Sequence, residues 1–547
     1  MSKQKLTDAP RRLRDLPRAV IAAFVCCFLA GYIAHLFAYT NIVPNADGIS
    51  RVADPQQMTI SGRWFLHYAT AWNGFVQAPA VIGFFSVLFL SLAAALTVSL
   101  LKIRSAVIGG LIGAVMIVFP TIAYTNLYLF TASAYCFGIL LAVLSVWVTT
   151  RYRLGFLAGM ALLACAVGTY QAYLAVAVSL SLIWLLLYGL EEDRKAGELV
   201  RAGLKMLLYL ILGLALYFLI LKLFLWIKDL KLLSYKGIGS FGESLTLGTL
   251  LTNIGSAYEK CIQYFFIPRS FSTYTTPAAV VCNAALALAG LWAFVLVIRR
   301  NRCLKRPGTF MLLLVLCGLL PLGLNLTVLM GEAMPIMRYA LVFAYVLVLA
   351  LVDQAAGGEQ SATGEKKSGK RNRTVGAYLP ILRRLLALCG ALGLLLVSFQ
   401  TDNTVYTMSA TAHRATESFA TRLVERVEST PGYVNGMEVV IIGGFPRSVY
   451  HNDIETFGLL EDYSNLSSTV IPLNKQVYYY LNDWLNVPWQ EPEEDTLIRV
   501  AASQGFQQMP LYPSDGSIVI SGDRVIVKLA SRYTPKKDYE IEYENRR

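Results

Sequence analysis

Long apolar runs with almost no charge constrain this chain more than any other feature. Pro79–Leu101 and Phe310–Leu329 are two examples, and each supplies the ~20 apolar residues that a helix needs to span a bilayer. Residues of the AVILMFWYC set make up 56% of the 547 residues and charged residues only 15%, so most of the chain cannot line a water-facing surface. The sequence therefore predicts a polytopic membrane protein, not a string of soluble domains.

The apolar runs predict an all-α bundle of about eleven membrane-spanning helices. They lie at about Ala19–Phe37, Pro79–Leu101, Ala106–Ile122, Leu129–Val148, Leu154–Val167, Ala172–Tyr188, Met206–Trp226, Ala278–Val297, Phe310–Leu329, Tyr339–Val352 and Ile381–Phe399. The N-terminal tail and alternate connecting segments hold 26 of the 35 Lys and Arg residues before position 401. Because such residues concentrate on the cytoplasmic side, we predict a multi-pass membrane protein with Met1 in the cytoplasm and the C-terminal tail outside.

The charge of the chain divides it into two domains. The net charge is 48 − 35 = +13, yet residues 401–547 hold 13 basic and 20 acidic residues, a balance of −7. The basic excess belongs to the membrane part, so no nucleic-acid partner is predicted. We predict a transmembrane domain over residues 1–400, with a flexible cytoplasmic linker at about 355–380 (Gly357–Arg373 at its centre), and an extracytoplasmic α/β domain over residues 401–547.

Local patterns predict the elements of this tail. Ser409–Ser429 has helical periodicity, and Val439–Ile442 is typical of a buried strand. Ser517–Ser521 and Arg524–Leu529 flank Gly522–Asp523, which predicts a hairpin. The tail contains no cysteine and no obvious catalytic motif.

The first long outer loop carries the strongest candidates for chemistry. It contains Asp47-Gly-Ile-Ser-Arg51, then Asp54 and Gly62-Arg63-Trp64. A carboxylate at the edge of the bilayer can act as a general base while nearby guanidinium groups hold a phosphate. The alternative is an Asp–Arg pair that only ties the loop down, and the composition does not separate the two.

Weaker candidates lie elsewhere on the predicted outer face. Tyr170 and Gln171 could contact a sugar, or form a plain turn between two helices. Arg338 could bind phosphate or reach out to the lipid headgroups. Lys236 and Arg269 flank an aromatic run that predicts an interfacial helix, either beside the route of a lipid substrate or as a simple anchor. His35 and His67 are interpreted as structural residues.

The order of these motifs resembles that of the Gtr-type (type II) polyprenyl-phosphate-glucose glucosyltransferases of the GT-C class. The family pattern, roughly Asp-Asp-x-x-Arg followed by Gly-Arg, is similar to Asp47-Gly-Ile-Ser-Arg51 and Gly62-Arg63, with Gly48 in place of the second acid. Tyr170-Gln171-Ala-Tyr173 and Pro335-x-x-Arg338 also resemble family motifs. The likeness covers the whole membrane part.

The resemblance implies a hexosyltransferase on the outer face of a bacterial-type plasma membrane. It would move a hexose, glucose in the family, from a polyprenyl-phosphate (undecaprenyl-type) carrier to a cell-surface or lipid-linked glycan acceptor, with Asp47 as general base. Arg51, Asp54, Arg63, Tyr170, Gln171, Lys236, Arg269 and Arg338 would serve substrate binding. No cofactor is predicted: some enzymes of the class use a divalent ion, but Asp47 and Asp54 alone are a thin ligand set for one.

Three other functions remain open at this stage. A lipid-linked glycan flippase would carry charged residues in the middle of its spans, and the predicted spans hold almost none. A glycan polymerase or ligase would have a large, Arg-rich late outer loop, whereas the segment before Arg338 is short. A sensor with a ligand-binding tail is not favoured by any motif.

Overall fold

The computed structural model describes residues 16–43, 45, 47–49, 53–232, 247–268, 275–329, 334–364, 379–446, 471 and 474–534. The chain divides into two compact units. The first holds the described residues of Met1–Thr40, Pro55–Asn126 and Thr131–Asn403, and the second holds those of Asn41–Asp54, Leu127–Phe130 and Thr404–Arg547. Two short segments of the predicted transmembrane domain thus belong to the same unit as the tail.

Helices dominate the chain up to the tail. They span Arg18–Thr40, Leu66–Thr70, Pro79–Leu100, Ala106–Val118, Pro120–Leu127, Leu129–Arg151, Gly155–Thr169, Tyr173–Gly189, Ala196–Ile227, Leu247–Phe266, Pro277–Arg300, Pro307–Leu324, Leu326–Leu329, Val342–Gly364 and Leu379–Glu428. Short 3₁₀ turns lie at Thr59–Ser61, Ala71–Asn73, Cys303–Lys305, Pro335–Met337 and Tyr339–Leu341. A helix satisfies its backbone groups internally, which is what hydrocarbon surroundings require of a spanning segment.

The prediction of a multi-span helical membrane protein is confirmed. Within the described residues, nine helices are long and apolar enough to cross a bilayer. Gly155–Thr169 and Tyr173–Gly189, at the positions of two predicted spans, are apolar but shorter. The total of eleven crossings stays a prediction.

Two glycines allow the first helix to pack closely on its neighbour. A Cβ atom on Gly109 would lie 2.3 Å from the Ala19 carbonyl oxygen, and one on Gly113 would lie 2.1 Å from the Ala23 carbonyl oxygen. Any larger side chain at these two positions would push the helix Arg18–Thr40 away. Small residues one turn apart are a common basis of close helix packing in membranes, where the gain comes from van der Waals contact.

The second unit contains a three-stranded sheet. Its strands are β1 (Glu438–Ile442), β2 (Ile518–Ser521) and β3 (Arg524–Lys528), in the order β1-β3-β2. β3 pairs in parallel with β1 and antiparallel with β2. The predicted strand and the predicted hairpin are therefore both present.

Among the described residues of the tail, this sheet is accompanied by helices at Asn474–Leu485, Glu494–Ala502 and Gln504–Gln508. Val440 and Ile442 of β1 pack with Leu497, Ala501 and Phe506 in a buried apolar cluster. The tail thus contains helices and a small mixed sheet, while its location outside the membrane stays a prediction.

Two helices differ from the sequence-based expectation. Leu379–Glu428 is one continuous helix of 50 residues, where a span at Ile381–Phe399 and a separate helix at Ser409–Ser429 were predicted. The polar residues after Gln400 end the apolar run, but residues 401–428 contain no glycine or proline that would break a helix. The helix Val342–Gly364 also extends into the predicted linker, whose residues 365–378 lie outside the described part of the chain.

Candidate active site

Arg63 lies against two tyrosine rings in the first unit. Its Nη1 donates a hydrogen bond to the Tyr135 hydroxyl at 3.2 Å, and its Cζ lies 4.9 Å from the centre of the Tyr170 ring. The Tyr135 and Tyr170 rings stack on each other, with centroids 4.7 Å apart and an interplanar angle of 11°. The contact between Arg63 and the Tyr170 ring stabilises the charged side chain, because an aromatic face attracts a guanidinium group.

Tyr173 completes the aromatic cluster. Its ring meets those of Tyr135 and Tyr170 edge-on, at centroid distances of 6.1 and 5.6 Å. Tyr170 is 3% exposed and Tyr173 is 2% exposed. The Tyr170 motif therefore does more than turn the chain between two helices, since its first tyrosine forms the surface on which Arg63 rests.

The turn before Arg63 is held by Gln171 and Tyr217. Gln171 Nε2 donates to the Ser61 carbonyl at 2.8 Å, and the Tyr217 hydroxyl donates to the Gly62 carbonyl at 3.0 Å. The two side chains also meet, with Gln171 Nε2 3.4 Å from the Tyr217 oxygen. The described contacts of Gln171 thus hold the turn that directs Arg63, while its contact with a sugar stays a prediction.

Gly62 is required at this turn for two reasons. Its φ is +79°, a left-handed conformation. A Cβ atom would lie 2.6 Å from Gln171 Nε2 and 2.7 Å from the Tyr217 hydroxyl. The Gly-Arg motif is therefore explained by the geometry, because only glycine combines this backbone conformation with this close approach.

Replacing Gly62 with alanine is expected to displace Gln171 and Tyr217, and so to reduce thermal stability. The left-handed backbone alone costs about 1–2 kcal/mol for a residue with a Cβ, and the steric clash adds to it. Gly74→Ala is the matched control: its φ is +68° and nothing lies within 4 Å of the added Cβ. Equal losses of melting temperature in detergent for the two variants would contradict the role given to the clash.

Asp47 lies on a tight turn in the second unit. The Gly48 amide is directed at Asn45, 2.9 Å from its carbonyl oxygen and 2.7 Å from its Oδ1. Asp47 is exposed at this turn, while Ile49 is fully buried. The Ile49 carbonyl accepts a hydrogen bond from Trp484 Nε1 at 2.9 Å.

The glycine that replaces the family's second acid occupies a confined position. A Cβ atom on Gly48 would lie 3.1 Å from Asn45 Oδ1 and 3.4 Å from the Phe130 ring. A side chain at this position would require one of these neighbours to shift. Glycine in place of the second acid therefore fits the close packing of this turn.

Two of the remaining predicted site residues are buried, and three lie outside the described part of the chain. Asp54 and Arg338 are each 7% exposed. An arginine that reaches out to lipid headgroups keeps its charge in water, so the burial of Arg338 argues against that alternative. Arg51, Lys236 and Arg269 lie outside the described residues.

Two histidines contact backbone oxygens, as their interpretation as structural residues predicts. His35 Nε2 lies 2.8 Å from the Ile117 carbonyl oxygen and His67 Nδ1 lies 2.6 Å from that of Pro55. Within the described residues, no group of three His, Cys, Asp or Glu residues could hold a metal ion. Tyr135 and Tyr217 were not predicted from the sequence; their only signal is a hydroxyl within an apolar span, which many structural tyrosines share.

The membrane part of the chain matches a known family. Residues 36–352, more than half of the chain, match the family described as Glucosyl transferase GtrII. No curated protein matches the chain, and neither does any solved structure. The match includes Asp47, Arg63, Tyr170, Gln171 and Arg338, and it ends before the C-terminal tail.

Proposed function

The chain belongs to the GtrII glucosyl transferase family, and on that premise we propose that it transfers glucose from a polyprenyl-phosphate carrier to a cell-envelope glycan on the outer face of the membrane. The observation that carries the proposal is the position of Arg63, a cation held by the hydroxyl of one tyrosine and the ring face of another. A planar cation of this kind suits a phosphate, which it can contact through two parallel N–H groups.

On the donor side, we assign Arg63 to the lipid phosphate. The bond that breaks joins C1 of the sugar to a phosphate oxygen, so negative charge accumulates on that oxygen as the carrier departs. A guanidinium group that is already fixed before the reaction stabilises this charge without reorganising. Gln171 and Tyr217 contribute indirectly, since they hold the turn that directs Arg63. Arg51 and Arg338 are proposed as further phosphate contacts.

On the acceptor side, we assign Asp47 as the general base. The acceptor hydroxyl attacks C1 and loses its proton to the Asp47 carboxylate, while the polyprenyl phosphate leaves with the electron pair of the broken bond. Two observations support the assignment: Asp47 lies within the matched family region, and it is exposed on a turn with fixed neighbours. Base catalysis requires the carboxylate within hydrogen-bond reach of the proton that it removes.

Donor choice tests this function. Purified full-length protein, mixed with a glycan acceptor extracted from the envelope, is expected to transfer labelled glucose from a synthetic polyprenyl-phosphate-glucose and not from a nucleotide-glucose. The reason is that the carrier phosphate, not a nucleotide, is the leaving group. Transfer from the nucleotide sugar alone would contradict the proposed donor.

The proposed orientation gives a separate prediction. Protease added to intact cells is expected to remove the C-terminal tail and to leave the Gly357–Arg373 segment uncut, because Lys and Arg concentrate on the opposite face from the tail. Permeabilised cells are the control, since there both segments become accessible. Cleavage of Gly357–Arg373 from the outside would reverse the topology and move every proposed site residue to the cytoplasm.

A further inference from the structure

The C-terminal tail contributes a residue to the turn that carries Asp47. Trp484 lies in the helix Asn474–Leu485, and its Nε1 donates to the Ile49 carbonyl at 2.9 Å. The two residues are 435 positions apart in the chain but belong to the same compact unit. The matched family region ends at residue 352, so the family match assigns no role to this tail.

The hydrogen bond is well placed to fix the backbone beside Asp47. Ile49 is fully buried, and a buried backbone carbonyl requires a partner. The Gly48 amide donates to Asn45 Oδ1 at 2.7 Å, a bond that closes the turn around Asp47. The carboxylate therefore projects from a turn that is held by Asn45 and by Trp484.

The indole ring of Trp484 is itself held in place. It stacks on Tyr480 with an interplanar angle of 11°, and His413 meets it edge-on at 5.6 Å. Burial raises the pKa of the Tyr480 hydroxyl well above its ordinary value, so the hydroxyl keeps its proton, and its oxygen lies 3.2 Å from His413 Nε2. These contacts set the direction of the indole N–H.

We propose that the tail is part of the catalytic apparatus, with Trp484 as the residue that positions the Asp47 turn. This inference rests on the proposed function, in which Asp47 is the base. Trp484 does not touch the reacting atoms; it acts through the backbone of Ile49. Since a misplacement of about 1 Å at a reacting group can cost about 10²-fold in rate, the loss of this one hydrogen bond affects turnover more than it affects folding.

The test is Trp484→Phe, which keeps an aromatic ring and removes the N–H donor. The kcat is expected to fall about tenfold, the scale of one lost hydrogen bond, with the donor KM unchanged. Trp489→Phe is the control, because Trp489 lies in the same tail and is 6% exposed. It is expected to lower the melting temperature and to leave kcat of the folded protein unchanged. An unchanged kcat in Trp484→Phe, or a loss of equal size in Trp489→Phe, would overturn the proposal.

Two further measurements separate this proposal from the assignment of Asp47. Amide hydrogen exchange at residues 45–49 is expected to speed up in Trp484→Phe and not in Trp489→Phe, whatever the role of Asp47. Adding Trp484→Phe to Asp47→Asn is expected to lower kcat little further than Asp47→Asn does alone, because both changes act on the same group. Unchanged exchange would refute the positioning role. Fully additive losses would show that Trp484 does not act through Asp47.

Discussion

Replacing Asp47 with asparagine is expected to lower transfer about 10²–10⁴-fold, the usual scale for loss of a general base. Asparagine keeps the volume of the side chain and removes its charge, so the donor should still bind. Glutamate would extend the carboxylate by one methylene and is expected to rescue poorly, because base catalysis depends on geometry. The measurement is the single-turnover rate with donor bound, together with the donor affinity of each variant.

Asp54→Asn is the matched control for that change. Asp54 belongs to the same loop, but it is 7% exposed, whereas Asp47 is exposed at its turn. We expect a much smaller loss of transfer once the amount of folded protein is taken into account. Near-normal turnover in Asp47→Asn with a complete loss in Asp54→Asn would move the base to Asp54. If neither variant lost activity, the proposed mechanism would be wrong.

Replacing Arg63 with alanine is expected to lower kcat/KM for the lipid donor about ten- to a hundredfold, because a charge-assisted hydrogen bond contributes about 1.5–3 kcal/mol. Lysine would restore the charge but not the planar fork, so Arg63→Lys should recover only part of the loss. Inhibition by polyprenyl phosphate, the leaving product, provides a second readout. It should weaken in parallel if Arg63 binds the phosphate.

Lys222→Ala is the control for this second prediction. Lys222 is an exposed cation in the helix Ala196–Ile227, and its loss should leave donor use unchanged. The same alanine test applies to Arg51 and Arg338. Full activity in all three arginine variants would place the phosphate elsewhere, with Lys236 and Arg269 as the next candidates.

The sequence predicted the features that depend on local composition. Apolar runs such as Pro79–Leu101 predict helices directly, because the bilayer leaves the backbone few other ways to satisfy its hydrogen bonds. The hairpin around Gly522–Asp523 was also predicted, since a short turn determines which strands pair. In both cases the signal lies within about twenty adjacent residues.

Features built from distant residues could not be predicted in this way. Nothing near Gly62 in the sequence indicates that Gln171 and Tyr217 hold its turn, and nothing near Ile49 indicates Trp484. Such contacts arise when helices pack, and a single sequence carries no direct signal for them. The motif that contains Asp47 and Arg63 was visible from the sequence, while the residues that hold its two parts were not.

The proposed transferase moves a hexose from its lipid carrier to an acceptor, whereas a flippase would move the intact lipid across the bilayer. The most direct measurement uses proteoliposomes that contain synthetic polyprenyl-phosphate-[¹⁴C]glucose, with a glycan acceptor on the side of the C-terminal tail, and compares the wild-type chain with Asp47→Asn. We expect the wild type to transfer the label to the acceptor and release polyprenyl phosphate, and Asp47→Asn to do so about 10²–10⁴-fold more slowly. Label that changes leaflet while it stays attached to the lipid, at equal rates in both proteins, would refute the proposed transfer and favour a flippase.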